Sequence, residues 1–343
     1  MVILDRKGES REVILEPEKL REYLSRGALV VVQITPFRSD EGLDLEGLKL
    51  NTEFLVERRA LGPMVLVPTG STGEFYALND EERKKVISTV VDIAGGKIPV
   101  IAGTMRAGAR WTAELSRYVE DIGADGVMVV LPYYHIPSEE GLLEHYKMIA
   151  GSINIGLLLY NNPDVSKIYV NPKLMKRLAA EIPNLVGVKE NTPYVVTFYE
   201  QVKAVGDKIP VIQGRGEWWY ISTVLLGATG YVSGYANFMP ELSFEILKAG
   251  TSKDFSKLSE LLDKISIIEE FISEMNIKYG PSTSILPLPY IQNYMVYAVI
   301  KAAMDIIGLR GGRVRLPLID LKIEDKKRLE RILFEDLCLE RIG

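Results

Sequence analysis

The sequence of 343 residues contains little cysteine and little histidine, and these shortages exclude some classes of function. Its single cysteine is Cys338, and its two histidines are His135 and His145. One cysteine cannot form a disulfide framework within the chain or a multi-cysteine zinc site. Two histidines are too few for the histidine-rich ligand sets of hydrolytic metal barrels. No metal site is therefore predicted, although carboxylates alone can hold magnesium and leave a carboxylate-metal barrel as an alternative.

Long apolar segments and an excess of positive charge are also missing. Near the N-terminus, short apolar stretches alternate with charged residues, unlike the core of a signal peptide or a membrane-spanning helix. With 41 basic and 46 acidic residues the net charge is -5, whereas nucleic acids and anionic membranes require a basic face on their partner. We therefore expect a cytoplasmic protein that binds small molecules and has neither a nucleic acid nor a membrane as a partner.

The sequence does contain eight short apolar runs rich in β-branched residues, each typical of a strand. They lie at residues 29–34, 64–67, 99–102, 127–131, 155–160, 185–189, 210–213 and 231–233. Segments with helical periodicity separate them, and a spacing of about 20 to 35 residues matches a strand followed by a crossover helix. Nearly continuous apolar runs suit parallel strands that are buried on both faces. The pattern predicts an α/β fold, a (β/α)8 TIM barrel.

The rival architecture is a doubly wound open sheet, which shows the same alternation of strands and helices. Its usual Gly-x-Gly-x-x-Gly turn is absent after the first run. Beyond the eighth unit, residues 253–277, 290–307 and 324–334 have helical patterns without strands between them. We therefore expect three regions: an N-terminal extension at residues 1–27, the barrel at residues 28–250, and a C-terminal helical region packed on the barrel at residues 251–343.

Two helix starts carry capping signals. Asn79 stands three residues before Glu82, which is the spacing of a capping box. Asn171 stands directly before Pro172, a favoured pair for the cap and the first helical position. Both signals predict helices that begin directly after these asparagines.

Lys189 and Tyr160 end two consecutive predicted strands, the sixth and the fifth. This position places both side chains at the C-terminal mouth of the barrel, where the active sites of such barrels lie. A neutral lysine amine attacks carbonyl groups, and burial lowers its pKa by disfavouring the ammonium form. A phenol both accepts and donates a proton, as such chemistry requires where histidine is missing. The structural alternatives are a surface lysine and a packing tyrosine.

The segment Gly70-Ser71-Thr72-Gly73-Glu74 follows the second strand. Glycines allow the backbone to approach a ligand, and the exposed amides and hydroxyls of such a turn suit a carboxylate, as in a 2-oxo acid. An ordinary capped glycine-rich turn is the alternative. Tyr133 and Tyr134, after the fourth strand, offer further phenols at the same rim, or pack in an interface.

Together these segments resemble the dihydrodipicolinate synthase / N-acetylneuraminate lyase family of pyruvate-dependent aldolases. The landmarks that follow the family's order are Thr35-Pro36-Phe37, Gly70-Ser71-Thr72-Gly73-Glu74, Ile101-Ala102-Gly103-Thr104, Gly123-Ala124-Asp125-Gly126, Pro132-Tyr133-Tyr134, Tyr160-Asn161-Asn162-Pro163, Gly187-Val188-Lys189 and Arg315-Leu316-Pro317-Leu318. A single motif of this kind would be weak evidence, but an ordered set across most of the chain is specific.

The resemblance implies that Lys189 forms a Schiff base with pyruvate and that Tyr160 passes protons to and from the imine. It also implies that Ser71 and Thr72 bind the pyruvyl carboxylate, with the Ser71 hydroxyl in the proton relay. Gly70 and Val232 complete the predicted pyruvate-binding set. The covalent lysine imine then takes the place of a cofactor.

Tyr134 is implied to enter the site of a neighbouring subunit, which means a homodimer or a dimer-of-dimers tetramer. The second substrate is less defined, because Val165 stands where lysine-biosynthetic members have an arginine for the acceptor carboxylate. Asp164 beside it is expected to repel an anionic acceptor. Arg215, after the seventh strand, is expected either to bind a carboxylate or phosphate of the acceptor or to be a solvated loop charge.

The predicted function is a class I aldolase or lyase that condenses pyruvate with an aldehyde, similar to dihydrodipicolinate synthase. A 2-keto-3-deoxy-sugar-acid aldolase or dehydratase is the alternative that suits the missing arginine. A sugar-acid-binding regulatory barrel without turnover is the alternative from another class.

Overall fold

The eight apolar runs form eight parallel strands of one barrel in a computed structural model, which describes residues 3–4, 10–11, 15–280 and 294–342. The strands are β1 (Leu29–Val32), β2 (Met64–Val67), β3 (Ile101–Gly103), β4 (Gly126–Val130), β5 (Gly156–Asn161), β6 (Leu185–Glu190), β7 (Val211–Gln213) and β8 (Tyr231–Ser233). Each observed strand overlaps its predicted run. Both faces of each strand are buried, so the strand is apolar along most of its length and is visible as a run in the sequence.

The strands are arranged around a closed ring. Hydrogen-bonded neighbours follow the order β2-β1-β8-β7-β6-β5-β4-β3. The remaining junction, between β2 and β3, is joined where the Leu66 amide donates to the Pro99 carbonyl at 2.9 Å and the Gly103 amide donates to the Pro68 carbonyl at 2.9 Å. The predicted (β/α)8 barrel is therefore confirmed, and the open doubly wound sheet is excluded.

Helices follow the strands as a barrel requires. They are α1 (Pro17–Ser25), α2 (Leu45–Glu57), α3 (Asp80–Ala94), α4 (Ala109–Asp121), α5 (Glu139–Ala150), α6 (Pro163–Ser166), α7 (Pro172–Glu181), α8 (Val195–Val205), α9 (Glu217–Thr223), α10 (Pro240–Thr251), α11 (Phe255–Lys278), α12 (Met295–Ile307) and α13 (Ile323–Arg331). Shorter 3₁₀ helices occur at Arg58–Leu61, Phe75–Ala77, Val224–Leu226 and Tyr235–Asn237, and a π-helical turn occurs at Ile332–Asp336. Ile3–Leu4 and Ser10–Arg11 form a small antiparallel pair.

Side chains along each strand point alternately into the barrel and toward the surrounding helices, and this divides the core into two layers. In β1, Val30 and Val32 point into the barrel, whereas Leu29 and Val31 belong to the layer between the strands and the helices. This follows from the two-residue period of a strand. Tyr160 and Val232 share the interior layer, so residues predicted to bind substrate lie on the inner face of the barrel.

Helix α1 closes the floor of the barrel. Its Leu20 and Leu24 are fully buried and belong to the interior layer. A Cβ atom built on Gly126 or Gly156, the first residues of β4 and β5, would lie 3.3 or 2.8 Å from Leu20 Cδ2. The sequence pattern predicted only an extension here, because periodicity does not show which surface a helix covers. The functional site is thereby left to the opposite, C-terminal end of the strands.

Both capping predictions are confirmed. The Asn79 side chain accepts from the Glu82 amide at 2.9 Å, and the Glu82 side chain accepts from the Asn79 amide at 3.0 Å. The Asn171 side chain accepts from the Leu174 amide at 2.9 Å. Each asparagine therefore satisfies an otherwise unpaired donor of the first helical turn.

The C-terminal region is helical, as expected. Helix α11 matches predicted residues 253–277 closely. The helix predicted over 290–307 corresponds to α12, which begins at Met295. The first residues of the predicted range lie outside the described part of the chain. The prediction for 324–334 covers α13 and part of the π-helical turn. Among the helices that the structure describes, none is both long and apolar enough to span a bilayer.

Candidate active site

Lys189 and Tyr160 are direct register partners on β6 and β5. The Lys189 residue is only 3% exposed, and its Nζ atom lies 3.7 Å from the centroid of the Tyr160 ring. Both side chains stand at the C-terminal ends of their strands, inside the barrel. The interpretation of Lys189 as a surface residue is therefore wrong.

Burial decides the protonation of Lys189. Removal of the ammonium group from water lowers the pKa of Lys189 to about 7. An ordinary lysine, with a pKa of 10.5, is almost fully protonated at neutral pH and is a poor nucleophile. Because of this lowered pKa, a substantial fraction of the Lys189 amines is neutral near pH 7 and able to attack a carbonyl.

The Tyr160 hydroxyl is the centre of a small hydrogen-bond network. Asn162 donates its side-chain amide to the Tyr160 hydroxyl at 2.8 Å, and the Ser71 side chain is also hydrogen-bonded to that hydroxyl. Burial raises the pKa of Tyr160 to about 12, although the bonds from Ser71 and Asn162 oppose this change. At neutral pH the phenol is therefore protonated and can both donate and accept within the network.

The loop after β2 brings the Ser71 hydroxyl to this network. A Cβ atom on Gly70 would lie 2.5 Å from Val32 Cγ1, so only glycine allows the backbone to pass this close to β1. The Glu74 amide then donates to the Ser71 carbonyl at 3.0 Å, which turns the loop back over the barrel. The glycine in this motif therefore has a steric requirement, beyond that of a generic turn.

Thr72 and Val232 lie on the β8 side of the mouth. A Cβ atom on Gly234, directly after β8, would lie 3.8 Å from Thr72 Cγ2. Val232 is buried in the interior layer of the barrel. The structure thus brings Gly70, Thr72 and Val232 to the same mouth as the lysine and the tyrosine.

Tyr134 is not part of this group within one chain. Its side chain is 75% exposed, the highest exposure among the predicted site residues, and its ring packs edge-on against His135 with a centroid distance of 4.8 Å. Its neighbour Tyr133 faces inward instead, with its ring 6.5 Å from that of Phe75. The two tyrosines of the motif therefore have different surroundings.

Arg215 is neither solvated nor alone. Its side chain is 22% exposed, and its Nη1 atom donates to Asp164 Oδ2 at 2.5 Å and to the Asn191 carbonyl at 3.1 Å. The Asp164 side chain is 7% exposed. The interpretation of Arg215 as a solvated loop charge is therefore wrong. The expectation that Asp164 acts as an isolated repelling charge also changes, because the adjacent guanidinium neutralises it.

Sequence reasoning missed several residues that support the site. Glu74 forms a fully buried ion pair with Lys301 of α12. Burial raises the pKa of Tyr297, and the nearby Tyr160 and Glu74 raise it further, which places this residue of α12 beside the site. Asn162 stood in a recognised motif, but the direction of its side chain could not be read from the sequence. No local signal marked the contacts of α12, because they link positions more than 130 residues apart.

In the described ranges of the chain, no group of three or more histidine, cysteine, aspartate or glutamate side chains is close enough to hold a metal ion. The mouth of the barrel carries amine, hydroxyl, amide and guanidinium groups.

Comparison with known families decides the assignment. Residues 25–336 match the dihydrodipicolinate synthetase family. The chain belongs to this family. The 4-hydroxy-tetrahydrodipicolinate synthase of Methanocaldococcus jannaschii is 36% identical over 307 residues, which cover 89% of this chain and 96% of that protein. The predictions of this family and of an enzyme of the lyase class are confirmed.

Solved structures of the dihydrodipicolinate synthetase family share the fold. The dihydrodipicolinate synthase of Aquifex aeolicus has a TM-score of 0.78 and 30% identity, and the match covers 92% of this chain and 99% of that chain. A prophage protein of E. coli K12, described as a member of the dihydrodipicolinic acid synthase family in complex with pyruvate, has a TM-score of 0.78 and 29% identity over 92% of this chain and 99% of that chain.

Proposed function

We propose that the protein is a Schiff-base-forming lyase that condenses pyruvate with an aldehyde, as in 4-hydroxy-tetrahydrodipicolinate synthase. The observation that carries this proposal is the buried Lys189 amine, with a pKa of about 7, placed against the ring of Tyr160. The names of the relatives support the reaction, and the pyruvate bound to the E. coli relative supports the first substrate.

The first half-reaction attaches pyruvate to the enzyme. The neutral Lys189 nitrogen attacks C2 of pyruvate, a C–N bond forms, and the proton released from nitrogen reaches the former carbonyl oxygen. Tyr160 relays this proton, because its hydroxyl both donates and accepts in the network with Ser71. A second proton transfer through Tyr160 allows the C2–OH group to leave as water, and an imine remains.

The second half-reaction forms the carbon–carbon bond. The imine nitrogen gains a proton and C3 loses one, which gives an enamine, and the C3 carbon of this enamine attacks the aldehyde carbon. The aldehyde oxygen takes up a proton and becomes a hydroxyl group. Water then hydrolyses the imine and restores the Lys189 amine. No oxidant, reductant or metal is required, because the lysine imine itself accepts the electron pair.

The pyruvyl group is held from the β2 and β8 sides of the mouth. Backbone amides of Ser71 and Thr72 bind its carboxylate, and Gly70 lets this loop approach. Val232 packs against the pyruvyl carbon atoms from the interior layer. Arg215 lies on the other side of the mouth, toward the second substrate.

We place Tyr134 in the site of a neighbouring copy, within a homodimer. Its exposure supports this arrangement, and further exposed apolar side chains occur in the segments that follow β2, β3 and β4: Tyr76, Trp111 and Ile136. Exposed apolar side chains on neighbouring segments are typical of a subunit interface. A mixture of Tyr134→Phe and Lys189→Met chains tests the arrangement, since each hybrid dimer then contains one intact site.

The mixed chains should recover about a quarter of the wild-type number of sites after subunit exchange, although each variant alone has low activity. Absence of recovery in a mixture shown by native mass spectrometry to contain hybrids would exclude a shared site. Further exposed apolar side chains stand at the start of α8, Tyr194 and Val196, and in the 3₁₀ helix after α9, Leu225; they support pairing of dimers into a tetramer. The exposed, unpaired Cys338 supports a reducing, cytoplasmic location.

Trapping of the imine tests the central proposal. The protein is incubated with pyruvate and borohydride, its intact mass is measured, and the modified peptide is mapped. We expect one reduced pyruvyl group on Lys189 and none in the Lys189→Met variant. Lys176→Met removes an exposed lysine of α7 and is the matched control, which should be labelled like the wild type. Absence of an adduct in the folded wild-type protein would overturn the proposed function.

A further inference from the structure

Asp164 and Arg215 form an ion pair between two loops at the mouth of the barrel. Asp164 follows β5 and Arg215 follows β7, and the Nη1–Oδ2 distance is 2.5 Å. The same Nη1 atom donates at 3.1 Å to the carbonyl of Asn191, which follows β6. The guanidinium carbon lies 5.0 Å from the centroid of the Trp219 ring. Three consecutive loops and an aromatic face therefore fix the orientation of the guanidinium.

The fixed guanidinium still has unused hydrogen-bonding capacity. Its Nε atom is buried and has no hydrogen-bond partner in the described structure, and the same is true of Oδ1 of the neighbouring Asn191. Guanidinium has five donors, and a buried donor without a partner destabilises the folded protein. Two such atoms, on residues that a hydrogen bond joins at the mouth, indicate a place that a polar ligand completes.

The pair lies beside the reacting atoms. Asp164 and Arg215 are close enough to Tyr160 to change its pKa in opposite directions, upward and downward respectively. The loop of Ser71 and Thr72 follows β2, which is across the ring from β6. A pyruvyl group held by that loop leaves the Arg215 side free for the second substrate.

We infer that the Asp164–Arg215 pair determines the charge selectivity for the second substrate and that Arg215 binds an aldehyde bearing a carboxylate. This inference rests on the proposed Schiff-base chemistry at Lys189. Guanidinium forms strong, directional hydrogen bonds with carboxylates. Asp164 orients the guanidinium and partly neutralises it, so the two residues have opposite effects on an anionic acceptor.

The opposite effects give a test with two signs. The acceptors are succinic semialdehyde and its primary amide, which have the same carbon chain and differ in charge. Arg215→Met should lower the ratio of kcat/KM for the acid to that for the amide by about 10- to 100-fold, which is the effect of losing a hydrogen bond to a charged group. Asp164→Asn should raise the same ratio by a few-fold, because it removes a negative charge and retains the shape of the side chain.

The ratio isolates acceptor binding from other effects. A change in Tyr160 or in pyruvate binding alters both acceptors equally and cancels in the ratio. Arg177→Met is the matched control, because Arg177 of α7 also pairs with a carboxylate, that of Glu140, but follows no strand at the mouth. This control should leave the ratio unchanged. Thermal unfolding of each variant shows whether the fold is retained.

Three results would overturn the inference. The first is a ratio that is the same in Arg215→Met and the wild type. The second is a ratio that changes in the same direction in Arg215→Met and Asp164→Asn. The third is a wild-type protein that prefers the neutral amide to the acid. Borohydride trapping on Lys189 is measured separately in each protein. If the wild-type protein forms no adduct, the proposed function is wrong. If adducts form normally and the ratio is unchanged in the variants, only the inference about the Asp164–Arg215 pair is wrong.

Discussion

Lys189 is expected to reduce the stability of the folded protein, because folding removes its ammonium group from water. Burial lowers the pKa of Lys189 from the ordinary 10.5 to about 7. A difference of this size corresponds to roughly 5 kcal/mol, since each tenfold change in proton affinity is worth about 1.4 kcal/mol. Lys189→Met keeps an unbranched chain of similar length and removes the charge. The variant should therefore unfold at a higher urea concentration than the wild type.

The sign and the pH dependence follow from proton binding. Between about pH 7 and pH 10.5 the unfolded chain holds a proton at Lys189 that the folded chain has released, so wild-type stability rises with pH in this window. Below this window the full penalty applies, and above it the penalty disappears. The advantage of Lys189→Met should be roughly 4 kcal/mol near pH 7 and roughly 2 kcal/mol near pH 9.

Urea unfolding followed by tryptophan fluorescence measures the difference, with wild type and variant at the same protein concentration because assembly contributes to stability. Lys176→Met, at an exposed position, is the control and should change stability by less than about 0.5 kcal/mol. An advantage of Lys189→Met that is the same at both pH values would refute the lowered pKa. A variant less stable than the wild type at neutral pH would refute it as well.

Three further outcomes are expected. Tyr160→Phe should reduce turnover by roughly 10²- to 10⁴-fold, the usual contribution of a positioned acid–base group, and steady-state kinetics within a factor of three of the wild type would show that another group relays the proton. Lys301→Met leaves Glu74 buried without its ion-pair partner and should lower the free energy of unfolding, measured with urea, by about 3 to 5 kcal/mol. Adding Glu74→Gln should recover much of this loss, and a double variant without recovery would contradict a dominant ion pair. Gly70→Ala places a Cβ atom 2.5 Å from Val32 Cγ1 and should cost about 1 to 3 kcal/mol, whereas wild-type stability would show that the loop relaxes freely.

The barrel was accessible from the sequence because its signals are local. Each strand is a short apolar run, and the caps at Asn79 and Asn171 lie within one helical turn of the groups that they bind. The role of α1 was not accessible in this way. Leu20 has the same apolar character as any helical core residue, and only its contacts with β4 and β5 show that it closes the floor.

The predicted site divides along a similar line. Lys189 and Tyr160 could be placed together because both stand at the ends of adjacent parallel strands, so the strand order alone brings them together. The pairing of Asp164 with Arg215 spans 51 residues and depends on loop conformations that no periodic pattern encodes. For this reason the sequence suggested a repelling aspartate, whereas the structure contains a compensated ion pair.

The C-terminal region also belongs to the site, which its helical pattern did not indicate. Glu74 has a left-handed conformation, with a φ angle of 53°, and ends the motif that supplies Ser71. Its carboxylate pairs with Lys301 of α12 and accepts from the Arg315 amide at 2.9 Å. The Arg315 guanidinium donates to the Ala77 carbonyl at 2.7 Å, a few residues farther along.

These contacts hold the loop from the side away from the substrate. A loop that presents a hydroxyl to Tyr160 and, as proposed, backbone amides to a carboxylate needs a fixed backbone, because catalysis is sensitive to displacements of about 1 Å. The eight strands position Lys189 and Tyr160, but they do not determine the conformation of the segment after β2. The buried Glu74–Lys301 pair and the Arg315 bonds provide that constraint, so the helices beyond the barrel complete the site that the barrel begins.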